Sequence, residues 1–235
     1  MVKIIVLSVM LTSALLTSCA APQNGESIEV DAGSGVTFHT NAHTLIARNL
    51  STKAVPYFDP AYGNNKRTAD AFFQKKESWE SIQKVSTAFL EKYPRAYERI
   101  SSDDFSVAIA GVLYDELFRR DFADDVEEET LRRGNIDDGF FSNTLGIAQI
   151  SPSIHRVTIN TALGKELSLE DAATALLNAE SSVATVPYIL YDNHPSNLAL
   201  AITRYHAGTV RNIDERAEGI LSDALQNHLK SLRDQ

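Results

Sequence analysis

A chain of 235 residues with 22 Lys and Arg against 31 Asp and Glu carries a net charge of −9 at pH 7. That excess of carboxylates disfavours nucleic acid as a partner, because a polyphosphate backbone repels it. A single cysteine excludes an internal disulfide, so an apolar core has to hold the fold, and the length suits one sizeable domain with or without an N-terminal extension.

The chain opens with Lys3 as a minimal positive region and an apolar run from Ile4 to Leu16. The run is too short to span a bilayer comfortably and has the shape of a signal peptide. It ends in Leu16-Thr17-Ser18-Cys19, small residues just before the sole cysteine. This resembles the lipobox of bacterial lipoproteins, in which the cysteine becomes the new N-terminus and carries the lipid. Residues 1–18 are then a signal peptide, and Cys19 is a lipid anchor to the periplasmic face of the envelope. The alternative is a buried or unpaired thiol. Ala20 rather than Asp follows the cysteine, which by the habit of such proteins points to the outer membrane.

Residues 19–65 read as a tether and an irregular region, rich in the turn-formers of PQNGES, DAGSG, PYFDP and YGNN. The tether extends to about Gly35, and Val36–Leu50 stays open between a strand and a short helix. Residues 66–100 read as a helical extension. Its helix is expected over Thr68–Tyr93, with Phe72, Phe73, Ile82, Val85, Phe89 and Leu90 on one side and Pro94 closing it. The main domain is expected over 101–235. Ser101 or Ser102 caps a helix through Phe105–Arg120, with Asp103 and Asp104 at its positive end. Residues 121–141 are strongly charged and hold Gly134 and Gly139. Ser168 and Asp171 start a helix through Ala172, Leu176, Leu177 and Ala179, and Pro187 is expected to break or bend its continuation. Ser196 is expected to cap a helix through Leu198–Ile202, with Gly208 ending it in a left-handed conformation. A last helix is predicted from about Ile213 to Leu232. The class is mainly α.

The residues that bear chemistry start on the Phe105–Arg120 helix. Phe105, Ile109, Val112, Leu113 and Leu117 recur at steps of three and four, and Glu116 falls on that apolar stripe. A carboxylate there is costly unless it is paired or needed. Burial raises a carboxyl pKa, which is what a proton donor near neutral pH requires. The competing reading is a boundary residue paired with Arg119 or Arg120. Asp115 lies about 100° around the helix and is expected to face elsewhere, so it is not the second carboxylate of a conventional pair. Two short Gly-containing segments follow, SNTLGIAQISP at Ser142–Pro152 and RYHAG at Arg204–Gly208. His39 and His43 stand four apart without an HExxH pattern, and the acidic run Asp121–Glu129 lacks the ligand spacing of a calcium loop. That run is expected to be a solvated face, and no metal or cofactor is expected.

The order of these elements resembles the lysozyme-like domain of bacterial lytic transglycosylases. In that family a helix ends in the catalytic Glu, a Ser-containing stretch leads into Gly-Leu-Met-Gln-hydrophobe-x-Pro, and a later helix ends in Tyr-Asn-x-Gly. Here Glu116, Gly146-Ile147-Ala148-Gln149-Ile150-Ser151-Pro152 and Tyr205-His206-Ala207-Gly208 stand in that order, across roughly half the chain. The resemblance implies a lysozyme-like helical fold acting on the glycan strands of peptidoglycan. Glu116 would be the single acid and base, and the product a 1,6-anhydro sugar. It further implies that Gln149 and the Gly146 backbone bind the N-acetyl group, that Tyr205 orients the acid or a sugar, and that Ser142 or Thr144 takes the place of the family serine. The departures are a longer interval from Glu116 to Gly146, Leu117 where the family often has Ser, Ala148 for Met, and His206 for Asn. They keep a second reading in view, a non-catalytic envelope lipoprotein that binds glycan or a protein partner through the same fold.

Overall fold

The computed structural model describes the backbone of Ile28–Asp31 and Thr37–Thr40, Tyr57, residues 63–98 and 100–120, Glu128, Leu131, Phe141, and residues 143–235. The protein is mainly α-helical. A short antiparallel hairpin, β1 (Ile28–Asp31) with β2 (Thr37–Thr40), pairs Ile28 with Thr40 and Asp31 with Thr37. It falls partly inside the stretch expected to be a tether and resolves the open choice at Thr37–Thr40 in favour of a strand.

The helix expected over Thr68–Tyr93 is two: α1 (Gly63–Phe73) and α2 (Lys76–Lys92). The Trp79 indole donates to the carbonyl of Phe73 at 2.8 Å and ends α1 there. Next comes α3 (Ser102–Arg119), capped by Ser101, whose hydroxyl accepts from the Asp104 amide at 3.0 Å. Then follow α4 (Pro152–Leu163), α5 (Leu169–Leu176), α6 (Ala179–Asn193), α7 (Leu198–Ala207), α8 (Glu215–Ile220) and α9 (Asp223–Arg233). Helix α4 had no counterpart in the sequence reading.

Two runs expected to be continuous are divided by polar caps. Asn178 accepts from Ser181 N and starts α6, while Ser222 accepts from Leu225 N and starts α9. Pro187 does not break α6; it lies inside an unbroken helix, buried with Val183, Val186, Ile189 and Leu190. Packing of α6 against α2, α4 and α7 outweighs the lost amide bond. The cap of α7 is Asn197 rather than Ser196, and Gly208 ends it at φ 71° and ψ −148°, a positive-φ turn outside the αL region.

Helix α3 is the centre of the molecule. Phe105 through Asp115 are buried without interruption, as are Leu117 and Phe118. Helices α1, α2, α6, α8 and α9 all pack on it. Its apolar stripe is thus one face of a helix enclosed on nearly every side, and this enclosure decides where its acidic residues go.

Candidate active site

The last turn of α3 carries two adjacent carboxylates. Asp115 is fully buried and accepts from the Tyr57 hydroxyl at 2.5 Å, from Arg119 Nε at 2.9 Å and from Arg216 Nε at 2.5 Å. Burial and then the Asp115 charge push the Tyr57 phenol well above its ordinary value, so it is a proton donor to Asp115 and never an anion near neutral pH. Tyr57 also packs edge-on against Tyr114 at 5.7 Å and Phe118 at 5.2 Å, which seats its ring on this turn.

Glu116 retains 12% of its side-chain exposure and accepts from Arg216 at 2.6 Å. One guanidinium from the first turn of α8 thus spans both carboxylates. One expectation changes. Asp115 does not face elsewhere, because α3 is enclosed on its flanks and a long side chain from α8 reaches both residues. Glu116 also meets a cation from far along the chain, Arg216, 100 positions away, while Arg119 binds Asp115 and senses the Glu116 charge, and Arg120 binds Glu128 at 2.8 Å.

The GIAQ segment is a closed loop. Leu145 and Ile150 exchange amide–carbonyl bonds of 3.0 Å, enclosing Gly146, Ile147, Ala148 and Gln149. Gly146 has φ 73°, and a Cβ there would lie 2.1 Å from the Leu176 carbonyl oxygen, so no other residue fits. Gln149 adopts φ 48°, a conformation that costs a non-glycine residue and recurs at functional sites. Its side chain stays local: Nε2 donates to Gly146 O at 3.0 Å, and Oε1 accepts from Thr144 at 2.8 Å. One amide proton and one lone pair of Gln149 are left for a ligand. Gly146 is more committed, since its N–H goes to Glu128 Oε1 at 2.8 Å and its carbonyl accepts from both Gln149 and Arg120. Glu128 is therefore not part of a solvated face; it is buried between Arg120 and the loop. Ser182 of α6 accepts from the Ala148 amide at 3.2 Å.

Tyr205, in the last turn of α7, joins the two halves. Its hydroxyl donates to the Ala148 carbonyl at 2.5 Å. Burial raises its pKa well above the ordinary phenol, the nearby Glu116 charge raises it further, and Arg216 opposes. The phenol is thus close enough to sense both the candidate acid and its cation. Beside it, His206 bonds Asp214 at 3.0 Å; burial, then Arg216, hold its pKa below the usual imidazole value against the pull of Asp214. Asp214 also caps α8, accepting from Ala217 N at 2.9 Å, and so fixes the turn that carries Arg216.

The structure brings Glu116, the Gly146–Gln149 loop and Tyr205 to one place. Ser142 and Cys19 lie outside the described residues, as does His43. Arg216, Asp115, Glu128, Tyr57 and Ser182 were not foreseen as parts of the site. Among the described residues no cluster of three or more His, Cys, Asp and Glu side chains could hold a metal ion, and no helix is long and apolar enough to cross a membrane. No protein-family model, no curated protein and no solved structure matches this chain.

Proposed function

We propose that this chain is a peptidoglycan lytic transglycosylase with a lysozyme-like helical fold, held to the envelope by a lipid on Cys19. The observation that carries the reading is the link from Tyr205 to the GIAQ loop beside Glu116. Three motifs far apart in the chain lie near one another there, which supports the reading. Glu116 protonates the glycosidic oxygen between N-acetylmuramic acid and N-acetylglucosamine. The substrate's own N-acetyl group assists at the anomeric carbon, one of the recognised departures from the two-carboxylate scheme. The muramic 6-hydroxyl then attacks that carbon and returns its proton to Glu116. The C–O bond to the leaving sugar breaks, the 1,6-anhydro bond forms, and no water is consumed. Gln149 presents its remaining donor and acceptor to the N-acetyl group, and Tyr205 fixes the Ala148 carbonyl. Neither metal nor cofactor enters this scheme.

The Arg216 contact favours a second reading, an envelope lipoprotein that binds glycan or a protein partner without cleaving. An acid held on a cation has to release it, or carry its proton on the other oxygen, before it can donate. Mass spectrometry of purified peptidoglycan after incubation separates the readings. Anhydro-muropeptides support the transglycosylase, reducing-end muropeptides indicate lysozyme-type hydrolysis, and sacculus binding without release of soluble fragments selects the non-catalytic protein.

A further inference from the structure

We propose that Ser182 is a positioning residue that acts on the ligand through Gln149: with Tyr205 it clamps Ala148 from both sides, and the clamp holds Gln149 in the conformation that presents its spare amide proton and lone pair. This role presupposes that the GIAQ loop is the subsite for an N-acetyl group, as read above, and adds which buried side chain keeps that subsite in shape. Ser182 is fully buried, on a stretch of α6 that also buries Val183, Thr185, Val186 and Pro187. Other buried helical hydroxyls satisfy themselves within their own helix: Ser86 donates to Ile82 O at 2.8 Å, Ser106 to Ser102 O at 2.6 Å and Thr185 to Ser181 O at 2.9 Å. Ser182 instead reaches another part of the chain and accepts from the Ala148 amide at 3.2 Å. Asn178, which caps α6 by accepting from Ser181 N, fixes the turn from which it does so.

The amide and the carbonyl of Ala148 belong to consecutive peptide planes. Holding the first on Ser182 and the second on Tyr205, at 2.5 Å, leaves Ala148 little freedom in φ or ψ. The second plane also carries the Gln149 amide, which donates to Gly146 O at 3.1 Å. Gln149 follows that fixed plane at φ 48°, a value that a non-glycine residue keeps only where its surroundings over-determine it. The seat is tight on the Ser182 side as well, since a Cβ on Gly146 would lie 2.8 Å from Ser182 Oγ. Replacing Ser182 by Ala leaves the fully buried Ala148 with an amide that has lost its acceptor, which costs more than the bond itself contributed, and the loop relieves that cost by turning the peptide. Gln149 then leaves its left-handed conformation, and its side-chain bonds to Gly146 O and Thr144 go with it.

The test is a double-mutant cycle on the full chain, with an N-acetylglucosamine trimer as the probe and its Kd read by NMR titration. Ser182→Ala is expected to weaken binding about tenfold, the effect of one hydrogen bond lost by a buried group. In a Gln149→Ala background the same substitution is expected to change Kd by less than about twofold, because the side chain through which Ser182 acts is already gone. The Ala148 amide is expected to exchange faster in Ser182→Ala while the far-ultraviolet circular dichroism stays that of wild type. A residue that only packs would weaken binding equally in both backgrounds. If Ser182→Ala fails to fold, Tyr205→Phe releases the Ala148 carbonyl from the other side and is expected to show the same dependence on Gln149. A loss undiminished in Gln149→Ala, or no loss at all, overturns the clamp, and so does a wild type that does not bind the trimer. A cycle that behaves as expected in a protein that releases no anhydro-muropeptides supports the clamp and removes the transglycosylase reading instead.

Discussion

At Gly146 a single added methyl group would meet backbone, the Leu176 carbonyl 2.1 Å away, at a φ that other residues avoid. Gly146→Ala is therefore expected to cost about 2–5 kcal/mol of stability, the sum of a positive-φ penalty and local overpacking. Urea unfolding monitored by circular dichroism checks this, and an unchanged midpoint would mean that the loop is not seated on α5 as described. The residue scale also shows what was legible. Glu116 stood out because a carboxylate on an apolar stripe demands a reason, and Gly146 and Gln149 stood out through their motif. Arg216 did not, because it lies on a short helix with no motif of its own, and no spacing rule joins it to a residue 100 positions away. Glu128 was hidden by its company: in a run of acids, nothing in the sequence distinguishes the one that turns inward to hold the Gly146 amide.

The helices were legible in kind but not in number. Apolar periodicity continues across the breaks at Gln74, Leu177 and Leu221, so the pattern alone merges neighbouring helices. What separates them is polar and local: the Trp79 indole on Phe73, Asn178 on Ser181, and Ser222 on Leu225. Pro187, read as breaking or bending its run, stays inside a continuous helix through its packing. Helix α3 was placed to within a few residues because its N-cap is strong. Ser101 accepts from the Asp104 amide and donates to its carboxylate, with Asp103 also in the first turn. Ser101→Ala is accordingly expected to destabilise the protein by about 1 kcal/mol while leaving any glycan-cleaving activity intact, because the site lies at the other end of α3. Chemical denaturation and a muropeptide-release assay on the same preparation check both halves.

Across the whole molecule, three histidines lean the same way. Burial holds His155, His194 and His206 below the ordinary imidazole value, joined by Arg204 at His194 and Arg216 at His206 and opposed by Asp192 and Asp214 at His155 and His206. Near pH 6.5 and below, the unfolded chain then binds more protons than the folded one, so stability falls as pH drops through that range. The thermal midpoint is expected to decline by a few degrees between pH 7.5 and 5.5, and the decline to shrink in His206→Gln. A midpoint that rises over that interval contradicts the assignment. The mainly α class was readable at this scale because helical periodicity pervades the chain. The convergence of α3, the loop after Leu145 and the end of α7 was not readable from spacing; it depends on α3 lying at the centre and on long-range bonds such as Arg216 to Glu116 and Tyr205 to Ala148.

The central claim is that Glu116 acts as the single acid and base. Glu116→Gln keeps the size of the side chain and an acceptor for Arg216 while removing the titratable proton. Purified peptidoglycan incubated with wild type is expected to yield 1,6-anhydro-muropeptides by mass spectrometry, and the same digestion with Glu116→Gln to yield essentially none. Release of anhydro products by Glu116→Gln at the wild-type rate would contradict it.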